Sequence, residues 1–210
     1  MYIPVHFTQN DRNACLALLA AYPLGSVVAS TPDGLEANHL PLLWQPGATE
    51  FGRLHWHLPR ANPLWQHADG QAVLVMFAGA DGYISPNWYP SKHEHGKAVP
   101  TWNYTAVHVR GRLRVIDDAA WLHTHLAALT TQHESGLADP WRLEDAPTDY
   151  IARLQQALVG IEIVIDEMQG KSKLSQNRSR ADRDSVIAAL RLQGQHHLAE
   201  AMAALLGQPT

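Results

Sequence analysis

The sequence predicts a mainly β protein with helices, an α+β chain whose strands close into a barrel and whose last segment is a helical extension. Three observations carry this expectation. Short apolar runs alternate with tight-turn residues along most of the chain, as in an all-β barrel. Helical periodicity is confined to the two ends and to the stretch before the last strand. No Gly-x-Gly-x-x-Gly opens a helix, so the parallel doubly wound alternative lacks its signature.

Taken in order, Thr8 followed by Asp11 three residues on reads as a capping-box-like start, and Leu16, Leu19 and Ala20 continue one helical face until Pro23 and Gly25 end it. Ser26 to Ser30 and Leu35 to Trp44 form a hairpin about the turn Thr31-Pro32-Asp33-Gly34, with Pro41 marking an edge or a bulge. Arg53 to His57 and Gln71 to Ala78 are two further strands. Trp102 to Arg110 and Leu113 to Asp117 read as another hairpin around Gly111, and Ile161 to Asp166 is the seventh strand. Two helices precede it, Asp118 to His133 and Thr148 to Val159, with Leu122, Leu126, Leu129, Leu154 and Leu158 at core-facing spacing. Arg183 to Leu192 and Gln195 to Leu206 form a final helical pair around Gly194. The second of these lacks Arg and Lys, a poor surface for reading bases, so packing or dimerisation is its expected use.

With 210 residues, 46% hydrophobic and 17% charged, the chain can bury one sizeable core. The single cysteine, Cys15, excludes an intrachain disulfide framework and suits a reducing, cytoplasmic setting. The longest apolar run, Ala72 to Ala80, is far too short to span a bilayer, and no membrane partner is expected. A net charge of -4 excludes a protein whose whole surface grips nucleic acid. DNA contact, if any, is local to Lys171, Lys173, Arg178, Arg180 and Arg183, where the one acid is Asp182.

Two segments offer chemistry. Gly170-Lys171-Ser172-Lys173-Leu174-Ser175-Gln176-Asn177-Arg178 is nearly free of apolar side chains and rich in donors for an anion; a polar run of this kind is expected to stay solvated. Both an anion-binding loop and a plain basic loop fit it. In the second, Leu54 to Trp65, a strand leads through Arg60 to a helix start where Asn62 can cap and Pro63 suits the first helical position, an arrangement able to hold a phosphate. His55 and His57 share one strand face, but no third ligand is fixed by the sequence, so no metal is expected.

These two segments, with Met1-Tyr2-Ile3-Pro4, Tyr83-Ile84-Ser85-Pro86-Asn87-Trp88-Tyr89 and Val99-Pro100-Thr101-Trp102-Asn103-Tyr104, resemble the PaiB-type FMN-binding negative transcriptional regulators. The resemblance runs from the first residue to about Leu192. It implies a split β-barrel related to the pyridoxamine-phosphate oxidase superfamily, a homodimer, and FMN as cofactor. Residue by residue it points to His39 at a flavin-contacting strand, to Pro59-Arg60-Ala61 with Asn62 at the phosphate, and to His57 of the same segment. It also points to Trp102, Asn103, Lys171, Lys173, Ser175 and Gln176 around the cofactor. Trp88, Tyr89 and Tyr104 join Trp102 as aromatics able to wall an isoalloxazine. Pro59 brings neither a hydroxyl nor an N–H, so part of the superfamily's phosphate grip is missing or comes from elsewhere. The expected domains are a barrel over residues 1–178 and a helical extension over 179–210. A flavin-dependent reductase or oxidase, and a flavin-free interaction module on the same barrel, are the alternative functions.

Overall fold

The computed structural model describes residues 1–47 and 49–206. Eight strands form one antiparallel sheet in the order β3-β2-β6-β7-β8-β5-β4, with β1 paired to β8. They are β1 (Thr8–Gln9), β2 (Leu24–Thr31), β3 (Gly34–Pro41), β4 (Leu43–Gln45), β5 (Arg53–Pro59), β6 (Ala72–Ile84), β7 (Thr101–Ile116) and β8 (Leu158–Lys173). The helices are α1 (Arg12–Ala21), α2 (Leu64–Ala68), α3 (Ser91–His95), α4 (Ala119–Glu134), α5 (Thr148–Gln156), α6 (Arg180–Leu192) and α7 (His196–Leu206). The mixed α+β class expected from the sequence is the one observed.

Two compact units share the chain: residues 1–22, 77–108 and 169–210 make the first, and residues 23–76 and 109–168 the second. Strands β6, β7 and β8 supply residues to both.

In the first unit, the core is built from Ile84, Tyr89, Leu174, Val186, Leu190, Leu198 and Met202, so α6 and α7 are packed elements of this unit. Gly194 takes φ 73° at the turn between them, a conformation open to glycine without steric cost. The start of α1 differs from expectation. Asp11 is the N-cap, its carboxylate accepting the Asn13 N–H at 2.8 Å, while Thr8 lies in β1 against Lys171. An extended Thr8 paired to a neighbouring strand cannot also sit at a helix cap.

In the second unit, the hairpin β2–β3 closes where it was expected, Thr31 pairing with Gly34. Leu54, Trp56 and Leu58 of β5 point into the core and pair with the Ile163–Leu158 run of β8. Each such aliphatic side chain, fully buried, contributes roughly 1.5–3 kcal/mol. Residues 159–163 of β8 are buried on both faces, because α4 covers the second: Trp121 lies against Gly160, where an added Cβ would stand 2.4 Å from its ring.

The expected hairpin at Gly111 is not formed. β7 runs unbroken through it, since a Cβ there would stand 2.2 Å from the Val164 carbonyl oxygen. The glycine marks a close approach of backbone to backbone, which a lone glycine in a strand signals as readily as a turn. Leu154, expected in the core, is half exposed; α5 buries none of its side chains and Leu158 belongs to β8.

Candidate functional site

In the second unit, β5 ends in a tight turn where the Asn62 N–H meets the Pro59 carbonyl at 2.9 Å. The Asn62 carboxamide oxygen accepts the Leu64 N–H at 2.9 Å, starting the short α2, and its amide donates to Asn38 Oδ1 of β3 at 2.8 Å. Trp65 Nε1 donates to the Arg60 carbonyl at 3.0 Å, so the turn is braced on both sides. The Arg60 guanidinium extends outward: Nε donates to the Gln156 carbonyl at 3.0 Å, while Nη1 (3.0 Å) and Nη2 donate to the two oxygens of Asp117. Hydrogen bonding from Arg60 holds the Asp117 carboxyl below its usual range. The pair lies in a cleft of about 290 Å³ walled by Leu122, Ala152 and Gln155. His39 lies on β3, its Nδ1 2.9 Å from Ser26 Oγ of β2.

The opposite face of β5 carries Arg53, His55 and His57, one every second residue. His57 Nδ1 lies 3.2 Å from His125 Nε2 of α4, and Trp121 stacks on the His125 ring at 5.2 Å between centroids. His55 Nε2 and Arg53 Nη1 each reach Glu162 Oε2 at 3.0 Å, and Arg114 Nη1 reaches Oε1 at 3.3 Å. Burial drives the His125 pKa down to about 3, helped by the charges of His57 and His55. Burial likewise lowers His55 and His57. Burial would raise the Glu162 carboxyl, yet hydrogen bonds from Arg53 and His55 outweigh it and leave the pKa below the ordinary value. The result is a buried carboxylate under two guanidiniums, beside imidazoles kept neutral.

In the first unit, the polar run that ends β8 and continues into the turn after it is folded inward, contrary to the expectation that it stays solvated. Lys171 and Ser175 are buried, since hydrogen bonds within the chain replace water for these groups. Lys171 Nζ donates to the Tyr2 carbonyl at 3.1 Å and lies 5.1 Å from the Tyr104 ring centre. Lys173 Nζ donates to Thr101 Oγ1 at 2.6 Å and to the Trp102 carbonyl at 2.7 Å. Ser175 takes φ 64°, a left-handed conformation for a side-chain-bearing residue. The turn is held by Asn103, whose Nδ2 donates to Ser175 Oγ at 2.9 Å, and by Gln176, whose side chain accepts the Leu174 N–H and donates to the Ser172 carbonyl. Trp102 is 54% exposed, with the Tyr83 ring edge-on to it at 6.4 Å. Tyr89, which the sequence offered as a possible cofactor wall, is wholly buried in the core, with the Arg178 guanidinium over its ring.

Sequence reasoning missed Asp117, His125, Glu162 and Asn38. His125 had a signal in hindsight, since it stands one helical turn after Trp121; the others depend on strand register and chain return. Among the described residues, no group of three or more His, Cys, Asp or Glu is placed to hold a metal ion, and no helix is long and apolar enough to cross a membrane.

Residues 1–167 match the family described as "Putative FMN-binding domain". An uncharacterized protein of Emericella nidulans is 30% identical, the match covering 90% of this chain and 89% of that one. The protease synthase and sporulation protein PAI 2 of Bacillus subtilis is 29% identical over the same shares. Among solved structures, the FAD and heme binding protein of Mycobacterium smegmatis shares the fold with a TM-score of 0.60, at 19% identity over 87% of this chain and 79% of that one. The flavocytochrome Anf3 of Azotobacter vinelandii does so with a TM-score of 0.56, at 19% identity over 79% and 69%. The chain belongs to the FMN-binding family, and its cofactor is FMN.

Proposed function

We propose that this member of the FMN-binding family holds the phosphate of FMN on Arg60 at the β5–α2 turn and acts as a flavin-loaded regulator of the PaiB type. One observation carries the reading of the site: the Arg60 guanidinium stands outward at a braced turn, beside a cleft, where a dianion can reach it. A planar fork of N–H donors is the side chain suited to phosphate oxygens. When bound, FMN supplies electron transfer; the chain's own residues bind and orient it.

His39, His57 and Asn62 belong to the same proposal through the second unit. Asn62 fixes the turn that aims Arg60, and His57 is held by His125. In the first unit, Lys173, Asn103, Ser175 and Gln176 fix the start of β7 and the turn after β8, and so hold Trp102 in place with its ring exposed. The homodimer is proposed on the exposed, edge-to-face pair of Tyr83 and Trp102, a patch that a second copy can cover. The regulatory role is the one that the resemblance to PaiB-type regulators implies, and the kinship with the protease synthase and sporulation protein PAI 2 is in keeping with it. Direct DNA contact is not part of the proposal. Lys171 is buried, Lys173 is tied to the start of β7, and Arg178 lies over the ring of the buried Tyr89.

The test is a titration of Arg60→Ala with FMN and with riboflavin. Loss of a charge-assisted contact to a dianion is expected to weaken FMN by roughly tenfold and riboflavin much less. Equal weakening of both would remove Arg60 from the phosphate.

A further inference from the structure

We infer that Asp117 competes with the flavin phosphate for Arg60 and so sets how strongly this site prefers FMN over riboflavin. The inference rests on the proposal that Arg60 is the phosphate ligand. A guanidinium has five N–H donors arranged so that neighbouring pairs make two parallel bonds to one anion. At Arg60 the end-on pair is spent on both oxygens of Asp117, and Nε is spent on the Gln156 carbonyl. What remains is single hydrogens, which cannot give a phosphate the bidentate grip that makes arginine selective for it. The flavin phosphate must therefore displace the carboxylate to be held well.

Displacement is within reach. The Asp117 side chain is 59% exposed, directly after the end of β7, so its carboxylate regains water on leaving Arg60. The Gln156 carbonyl, at the end of α5, keeps Nε in place meanwhile and holds the guanidinium at the cleft. A ligand without a phosphate has no use for Arg60 and leaves the pair closed. Asp117 thus lowers the affinity for FMN by the fraction of time it occupies Arg60, and adds the repulsion of a negative charge beside a dianion.

The experiment titrates the full chain, freed of flavin, with FMN and with riboflavin, following flavin fluorescence for the wild type, Asp117→Asn, Arg60→Ala and the double variant. Asn keeps the length and an oxygen that can still accept from Arg60, but removes the charge. The expected result is FMN binding about three- to tenfold tighter in Asp117→Asn, riboflavin unchanged, and no gain from Asp117→Asn once Arg60 is Ala. Unchanged or weaker FMN binding in Asp117→Asn, while Arg60→Ala selectively loses FMN, overturns the competition and leaves Arg60 as the phosphate ligand. An equal gain for both flavins also overturns it. Arg60→Ala acting alike on FMN and riboflavin overturns the phosphate assignment and the competition together. Matching thermal melts of the variants show that the fold is common to all four.

Discussion

His57 Nδ1 of β5 and His125 Nε2 of α4 lie 3.2 Å apart, one imidazole hydrogen-bonded to the other. Only one of the two can hold the shared proton, and with His125 pushed down to about 3 by burial, the folded state keeps it neutral through mildly acidic pH. The unfolded chain takes up that proton near pH 6.5, so stability is present above that pH and is lost as pH falls toward 3, by up to about 1.4 kcal/mol per pH unit from this site. Burial of His55 and His57 adds the same sign. Melting temperature is expected to fall steadily from pH 7 to pH 4, and His125→Phe, which keeps the stack on Trp121, is expected to flatten that slope. An equally steep slope in the variant would place the acid sensitivity elsewhere.

Among the described residues, Glu162 is the carboxylate that Arg53, His55 and Arg114 share. Removing it leaves guanidiniums and an imidazole around a site closed by β5, β8 and α4. Glu162→Ala is expected to destabilise the fold by about 2–3 kcal/mol, with the cost moderated because Arg53 and Arg114 are partly solvated. Glu162→Gln, which still accepts one hydrogen bond at each step of the network, should cost about half as much. Urea unfolding of the three proteins compares them directly.

Lys173 and Arg180 are both cations of the basic segment, yet they do different things. Lys173 ties the Trp102 carbonyl and Thr101 to the end of β8, whereas Arg180 pairs with Asp184 on the exposed side of α6. Lys173→Ala is expected to weaken the dimer several-fold, because it loosens the strand that presents Trp102 to a second copy; Arg180→Ala is expected to leave the dimer unchanged, an exposed pair on one helix being worth little. Sedimentation in which Arg180 matters as much as Lys173 would undo this separation.

Trp102 and Tyr83 offer an apolar surface that one copy alone leaves in water. Sedimentation of the wild type is expected to show a dimer, and Trp102→Ala to raise its dissociation constant by at least tenfold, as central aromatic anchors do. A monomeric wild type, or a variant that dimerises as well as the wild type, would place the interface on another face.

Much of the fold was legible in the sequence where local chemistry decides it: the Thr31-Pro32-Asp33-Gly34 turn, the strand Arg53 to His57 with its alternating faces, the helix opened by Asp118, and the glycine between α6 and α7. Turn residues, caps and periodicity act over a few positions, and those positions are adjacent in the chain. The motif strings likewise named the family and the FMN cofactor. Tertiary structure decided what the same residues touch. Gly111 reads as a turn until Val164 is brought against it, and the run from Lys171 to Gln176 reads as solvated until Tyr2, Thr101 and Asn103 supply its hydrogen bonds. Arg60 was visible as a cation at a turn; that Asp117, fifty-seven residues on, takes its end-on donors follows only from the return of β7 to that corner. Partners this distant in sequence are set by strand register and helix packing, which depend on the whole core at once and leave no mark at either residue.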